Sequence, residues 1–305
     1  MKKSLIALAV LAAVSGTSFA QSSVTIYGKA DIGIARSIGS TVNEIKQASG
    51  SRLGFRGTED LGGGLKANFQ LENRFLPDTG AAASSTSFFN GRSIVGIEGG
   101  FGRIDMGRDY TAAFWTALGG DVFGYDGVAA NSAVAGAGNQ TVRFDNVISY
   151  KSPTMGGLTL EASSAQKETG PKNGSSVRIS YASGPIAASI ATEKGQAGQT
   201  YNGFGAAYDL KVARVNVLIS KGETLAGVES EGMLLGLTVP MGALSLKASY
   251  GTLETAGIKT VQQMGLGARY ALSKRTDLYT SYANNSKAAA GTKKNGMEFG
   301  MQHNF

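Results

Sequence analysis

Through its second half the chain is written in steps of two. In residues 244–250, Leu244, Leu246, Ala248 and Tyr250 alternate with Ser245, Lys247 and Ser249. Val177, Ile179 and Tyr181 oppose Arg178 and Ser180. Val215, Val217 and Ile219 oppose Arg214, Asn216 and Ser220. Met264, Leu266, Ala268 and Tyr270 oppose Gly265, Gly267 and Arg269. Side chains of a strand point to opposite faces with a period of two, so each run makes a sheet with one apolar and one polar face. The last such row, Met297, Phe299, Met301, His303 and Phe305, runs out at an aromatic residue. Sixteen strand candidates can be read along the chain. Alternation alone does not separate a soluble β-sandwich from a membrane barrel whose outer face meets lipid.

Composition narrows the choice. Glycine supplies 44 of 305 residues and proline 5, which excludes collagen and argues against disorder while suiting tight turns and closely packed strands. A mean hydropathy of −0.05 is too polar for a bundle of membrane helices. It suits a barrel in which half of each strand faces water. Cysteine is absent, so no disulfide, thiol nucleophile or thiolate metal site is possible. The formal charge is +7, spread without the Lys/Arg-rich run that tracks nucleic acid. Residues 1–20 read as a secretory signal peptide: Lys2 and Lys3 precede an apolar stretch over 5–14, and Ser18-Phe19-Ala20 presents small residues at the cleavage positions. The mature chain is then 21–305. No second apolar run is long enough to span a bilayer as a helix.

Turn lengths carry the next step. Every second connection is very short, at 61–64, 99–102, 154–157, 183–185, 209–211, 240–242 and 272–275. Most of the others are longer and polar. Short turns at one end and long loops at the other mark an outer-membrane barrel with its turns in the periplasm. The longest connection, within 109–145, exceeds an ordinary hairpin loop. It holds the single tryptophan, Trp115, with Phe114, Phe123, Tyr125, Asp121 and Asp126. So aromatic a loop is expected to pack, and in a wide barrel the available place is inward, against the lumen wall. Sixteen strands enclose an aqueous channel, where about eight would be filled by their own side chains. The expected fold is a single all-β domain, a transmembrane 16-stranded antiparallel barrel with its long third loop folded into the lumen.

Several segments resemble the trimeric general porins of Gram-negative outer membranes, most closely the β-proteobacterial type. QSSVTIYG at 21–28 resembles that family's first strand, and SRLGFRGTEDLGGGLKA at 51–67 its second strand, first turn and third strand. VGIEGGFG at 95–102 and MGR at 106–108 resemble the fourth and fifth strands, and residues 146–153 the sixth. GGD at 119–121 resembles the tip of the constriction loop, and MQHNF at 301–305 the end of the last strand. The resemblance implies a homotrimer, a third loop (109–145) that constricts the pore, passive diffusion of small hydrophilic solutes, and no cofactor. By position it carries the family's pore-wall arginine cluster to Arg52, Arg92 and Arg143. It also makes Phe305 part of a signal read by the barrel-insertion machinery.

Strand parity bears on the charges independently. Leu53 and Phe55 face one way, Arg52 and Arg56 the other; Leu65, Ala67, Phe69 and Leu71 leave Lys66, Asn68, Gln70, Glu72 and Arg74 for the lumen. An arginine facing lipid near the midplane costs about 2–4 kcal/mol, so the charged phase belongs inside. The expected constriction is Arg52, Arg56, Arg92 and Arg143 opposite Asp121 and Asp126, some of them competing with a plainer role as wall residues paired to acidic neighbours. Basic residues outnumber acidic ones on this wall, which predicts a mild preference for anions. His303, the one histidine, shares the phase of Phe299, Met301 and Phe305 and so falls on the outer face, without the nucleophile and orienting group a catalytic base needs. Tyr150, Tyr181, Tyr208, Tyr250, Tyr270 and Tyr282 read as an interfacial girdle. Gly62-Gly63-Gly64 lacks the Gly-Lys-Ser/Thr ending of a phosphate loop and reads as a turn.

The leading expectation is an outer-membrane diffusion porin in contact with lipid and lipopolysaccharide, with no catalytic, cofactor or metal residues and no nucleic-acid partner. A porin selective for small anions or organic acids is the nearest alternative. An outer-membrane barrel enzyme and an exported β adhesin are alternatives of other classes. Loop acids such as Asp78, Asp121 and Asp126 leave calcium binding open.

Overall fold

The computed structural model describes residues 23–168 and 171–305; the expected signal peptide lies outside them. One sheet contains every strand: β1 (Ser23–Arg36), β2 (Glu44–Lys46), β3 (Ser51–Gly62), β4 (Leu65–Phe75), β5 (Ser93–Gly99), β6 (Gly102–Tyr110), β7 (Arg143–Lys151), β8 (Leu158–Ala165), β9 (Gly174–Ser183), β10 (Ile186–Lys194), β11 (Thr200–Asp209), β12 (Arg214–Glu223), β13 (Glu229–Met241), β14 (Leu244–Thr255), β15 (Ile258–Ala271), β16 (Thr276–Asn285) and β17 (Asn295–Asn304). Sixteen of these are the staves of a closed antiparallel barrel. β2 is a three-residue addition within the first long loop, paired with β1 through Gly33–Ala35, and alternation is too short there to announce it.

The barrel closes on β1, which pairs with β3 over 23–29 and with β17 over 29–36. The seam continues to Phe305, whose N–H donates to the Gly28 carbonyl at 3.1 Å while the Gly28 N–H donates to Phe305 at 2.8 Å. A side chain at Gly28 would occupy the space of the Phe305 ring. Glycine there lets the aromatic lie flat across the seam.

The outer surface carries the apolar rows. Val24, Ile26, Val95, Ile148, Ile190, Phe204, Ile219, Met233, Leu266 and Phe299 are all exposed, as strands immersed in hydrocarbon require. Among the described residues no helix is long and apolar enough to cross a membrane. His303 lies on this outer face, within hydrogen-bond distance of Thr276 (Nδ1 to Oγ1, 2.8 Å). Tyr150, Tyr181, Tyr208 and Tyr270 sit within a few residues of the short turns, whereas Tyr250 and Tyr282 lie further along their strands.

The short turns fall where expected. The contrast with long loops holds in the first half of the barrel and fades in the second, where β14 and β15 are joined by Ala256 and Gly257 alone, both at positive φ (50° and 74°). Two residues with φ above zero match the right-handed twist of the strands they join. The sixth stave also differs from simple alternation. Pairing shifts from Gly107↔Val147 to Asp109↔Phe144, with Asn146 at φ 52°. This bulge turns Val147 inward against Phe144 and Ala165, which explains an apolar residue at a lumen phase. Asparagine is among the few side chains that tolerate the left-handed region.

Candidate pore constriction

Residues 111–142 link β6 to β7 and carry two helices, α1 (Ala112–Gly120) and α2 (Ser132–Ala135). Thr111 caps α1, its hydroxyl accepting from the Phe114 N–H at 3.1 Å. The segment touches the inward side chains of one wall in succession. The Thr116 hydroxyl donates to Ser189 on β10, Asn216 on β12 donates to the Gly119 carbonyl, Ser220 on β12 donates to the Val134 carbonyl, and Asn131 donates to Ser249 on β14. Gln263 on β15 donates to the Ala130 carbonyl, and the Val128 N–H donates to Glu298 on β17.

Two features of that wall make the docking possible. Inward positions that should be polar are apolar where the segment lands: Tyr201, Leu218, Leu234 and Leu253 bury against Ala113, Ala117, Val134, Ala135 and Ala137. Leu218 and Leu234 are completely buried. The wall also loses its side chains where the backbone approaches closest. A side chain at Gly232 would strike the Val134 carbonyl, one at Gly236 the Val122 side chain, one at Gly251 the Asn131 amide and one at Gly267 the Phe123 ring. The signal was present in the sequence as Leu218 between Asn216 and Ser220, an apolar residue at a polar phase, but only the docked segment gives it meaning.

Asp121 anchors the turn after α1. It is buried, and its oxygens accept from the N–H groups of Phe123 (3.0 Å), Tyr125 (3.2 Å) and Asn131 (2.9 Å). Burial pushes its carboxyl above the usual value, opposed by those three donors. The structure therefore places Asp121 inside the segment and away from the open lumen, unlike the exposed pore charge expected from sequence. A small acid followed by a glycine-rich turn is as well suited to collecting backbone donors as to facing water.

The opposite wall holds the arginines. Arg52, Arg92, Arg143 and Asp126 line one cavity of about 630 Å³, together with Lys29, Glu72, Arg74 and Tyr110. Arg92 grips Asp109 through two bonds of 2.6 and 2.7 Å and donates to Gln70 at 2.9 Å. Glu72 sits between Arg74 (3.1 Å) and Arg52 (3.8 Å) and accepts from the Tyr27 hydroxyl. The Tyr110 hydroxyl accepts from both Arg74 and Arg143 at 2.6 Å, and the Arg143 guanidinium lies 4.2 Å from the Tyr110 ring centre. Arg143 pairs with no carboxylate among the described residues. Arg56 lies apart, exposed on β3 with its guanidinium 5.3 Å from the Tyr27 ring. Inward parity gave its face, but its position nearer the short-turn end keeps it out of this cavity. Lys29, Glu72, Asp109 and Tyr110 complete the cluster, and only the assembled barrel brings Lys29 on β1 beside them.

Asp126 carries the cavity's charge on the inserted segment. Burial raises its carboxyl above the usual value, against the pull of Lys29, Ser49 and Arg52. A second cavity, of about 560 Å³, is lined by Arg92, Arg103, Lys151 and Arg178 together with Asp105, Asp109 and Glu161. Trp115 and Leu118 line both, so one face of α1 borders two adjoining chambers. Among the described residues no group of three or more His, Cys, Asp or Glu is placed to hold a metal ion.

Gly232→Val tests the docking. Overpacking here costs about 1–3 kcal/mol and forces α2 off the wall. The expected outcome is a folded barrel with larger and noisier single-channel conductance; unchanged conductance would mean that the segment does not narrow the passage.

The relatives of this chain fit its geometry. A family model described as Gram-negative porin matches residues 7–290. Outer membrane porin protein 32 of Delftia acidovorans is 33% identical with both chains covered in full, and an outer membrane porin of Bordetella pertussis is 27% identical, again over the whole of both chains. Among solved structures, an anion-selective porin from Comamonas acidovorans superposes with a TM-score of 0.79 at 29% identity, covering 93% of this chain and all of the other. The closed sixteen-stave barrel, its exposed apolar belt and these full-length matches agree: the chain belongs to the Gram-negative porin family, channel-forming proteins of the outer membrane.

Proposed function

We propose that this porin passes small hydrophilic solutes by passive diffusion and prefers anions. One observation carries the preference. The larger cavity is lined by five cations, Lys29, Arg52, Arg74, Arg92 and Arg143, and by two carboxylates, Glu72 and Asp126. Arg143 is stacked on Tyr110 and free of any acid, so its charge is available to a passing anion. A unit charge about 4 Å from an ion is worth about 1 kcal/mol in water, enough to bias permeation without trapping the solute. The anion-selective relative supports the same sign.

The constriction in this reading is Arg52, Arg92 and Arg143 facing Asp126, with Asp121 holding the segment in shape and Arg56 serving the short-turn mouth. Family membership supports assembly as a homotrimer. Phe305 has two roles here: its ring covers Gly28 at the seam, and its exposed aromatic face supplies the recognition element for insertion into the outer membrane.

Four outcomes are expected. In a salt gradient across a planar bilayer, the refolded protein closes in three equal steps with a reversal potential of anionic sign. Arg143→Gln shifts its permeability ratio a few-fold toward cations, and a cationic sign in the unaltered protein would overturn the reading. Acidification neutralises Asp126 at a higher pH than an ordinary aspartate, so anion preference rises as pH falls, and Asp126→Asn flattens the early part of that rise. An identical pH profile in the variant would exclude Asp126 from the passage. Deleting Phe305 lowers outer-membrane abundance more than single-channel conductance, and normal abundance would count against its recognition role.

A further inference from the structure

Beside the arginines the lumen is aromatic. On α1 the buried face consists of Ala112, Ala113, Phe114, Thr116, Ala117 and Gly120, which leaves Trp115 and Leu118 toward the lumen. Trp115 keeps 36% of its surface exposed and borders both chambers. Its ring centre is 5.1 Å from that of Tyr110, over which Arg143 lies at 4.2 Å and Arg92 at 5.8 Å. With Asp121 turned into the backbone, Asp126 is the only carboxylate the inserted segment contributes to the larger cavity.

A passage that sorted by charge and size alone would gain nothing from a tryptophan on its wall. Exposed indole is apolar surface held in water, and it disfavours the ordered water that a purely hydrophilic sieve maintains. Packing explains only one side of the ring, which meets Tyr110 and Phe114 (5.3 Å, edge-on). The remaining face is open to whatever crosses the barrel. An inorganic anion uses the arginines and leaves the indole bare. A planar aromatic anion uses both, its charged group reaching Arg143 while its ring covers Trp115, because guanidinium and indole both border Tyr110, at 4.2 and 5.1 Å from its ring centre.

We infer that the constriction favours planar aromatic monoanions, the aromatic carboxylates and their sulfonate analogues, with Trp115 setting the preference for a flat ring and Arg143 holding the charge. This rests on the anion-channel reading above and extends it to a solute class.

The test uses the refolded full-length mature protein in planar bilayers, with potassium chloride as the carrier of current. Sodium benzenesulfonate, cyclohexanesulfonate and methanesulfonate are added in turn; all three stay ionised and so do not cross the lipid as neutral acids. The expected result is transient block by benzenesulfonate lasting about three- to tenfold longer than block by cyclohexanesulfonate, the range expected of one aromatic pair, and negligible block by methanesulfonate. Trp115→Ala removes the difference between the two rings, Trp115→Phe restores most of it, and Arg143→Gln shortens block by both. Equal block by the two ring sulfonates in the unaltered protein, or a ring preference that survives Trp115→Ala, would overturn the proposal. A cationic reversal potential in chloride would remove the anion-channel reading and this inference with it. An anionic potential without ring preference would remove this inference alone.

Discussion

Every backbone N–H and C=O in the hydrocarbon layer has to be paired within the protein, since no water is there to take its place and each unpaired group costs several kcal/mol. For a chain built of strands, that requirement permits only a closed ring. The rest of this structure follows from closure at β1 and β17, where one fourteen-residue strand serves two neighbours in succession and hands over near Lys29. Gly28 and Phe305 meet at this handover, and the missing side chain on one matches the large ring on the other. The same device recurs inside the wall, where Tyr27 lies over Gly54 and Tyr279 over Gly300. Aromatic rings over glycines stiffen the staves without adding bulk that would disturb their spacing.

Closure also inverts the usual placement of the core. The apolar rows face outward into lipid, so the sheet has no central packing of its own, and the lumen would remain wide. What narrows it is a segment that brings its own small-residue face, Ala113, Ala117 and Ala135, to a patch of inward leucines. The bonds from Thr116, Asn131, Asn216 and Ser220 then fix its register on the wall. Alanine on the segment and glycine on the wall are two parts of one fit: each shortens the distance at which backbone can meet backbone.

The passage that results is asymmetric in chemistry as well as charge. Arginines on β3, β4 and β7, and Arg92 just before β5, face a helix that presents indole and leucine. Glu72 and Asp109 are spent largely on Arg74 and Arg92, which holds those side chains in place and leaves Arg143 as the arginine of the cavity without a carboxylate partner among the described residues. Fixed arginines with one free of acid favour a weak, directed interaction with solute over a binding site that would retain it.

Much of this was legible in the chain itself. Period-two alternation determined the sixteen staves and which face of each meets lipid, because a one-residue slip would send every side chain of a strand to the wrong solvent. Parity likewise determined that Arg52, Arg56 and Arg74 point inward, and the glycine-rich turns followed from local backbone geometry. Height along the barrel was not legible: Arg52 and Arg56 share a phase, yet only Arg52 reaches the cavity, since position along the axis depends on strand stagger across the whole ring. Nor was the fate of Asp121, because a carboxylate answers equally to water and to a turn's backbone N–H groups, and only the packed segment decides between them. The sequence determined this protein's inside and outside, which are set by neighbours one and two residues away. Tertiary structure decided where the opening narrows and what lines it, because those contacts join residues as far apart as Lys29, Trp115, Arg143 and Glu298, which no local pattern relates.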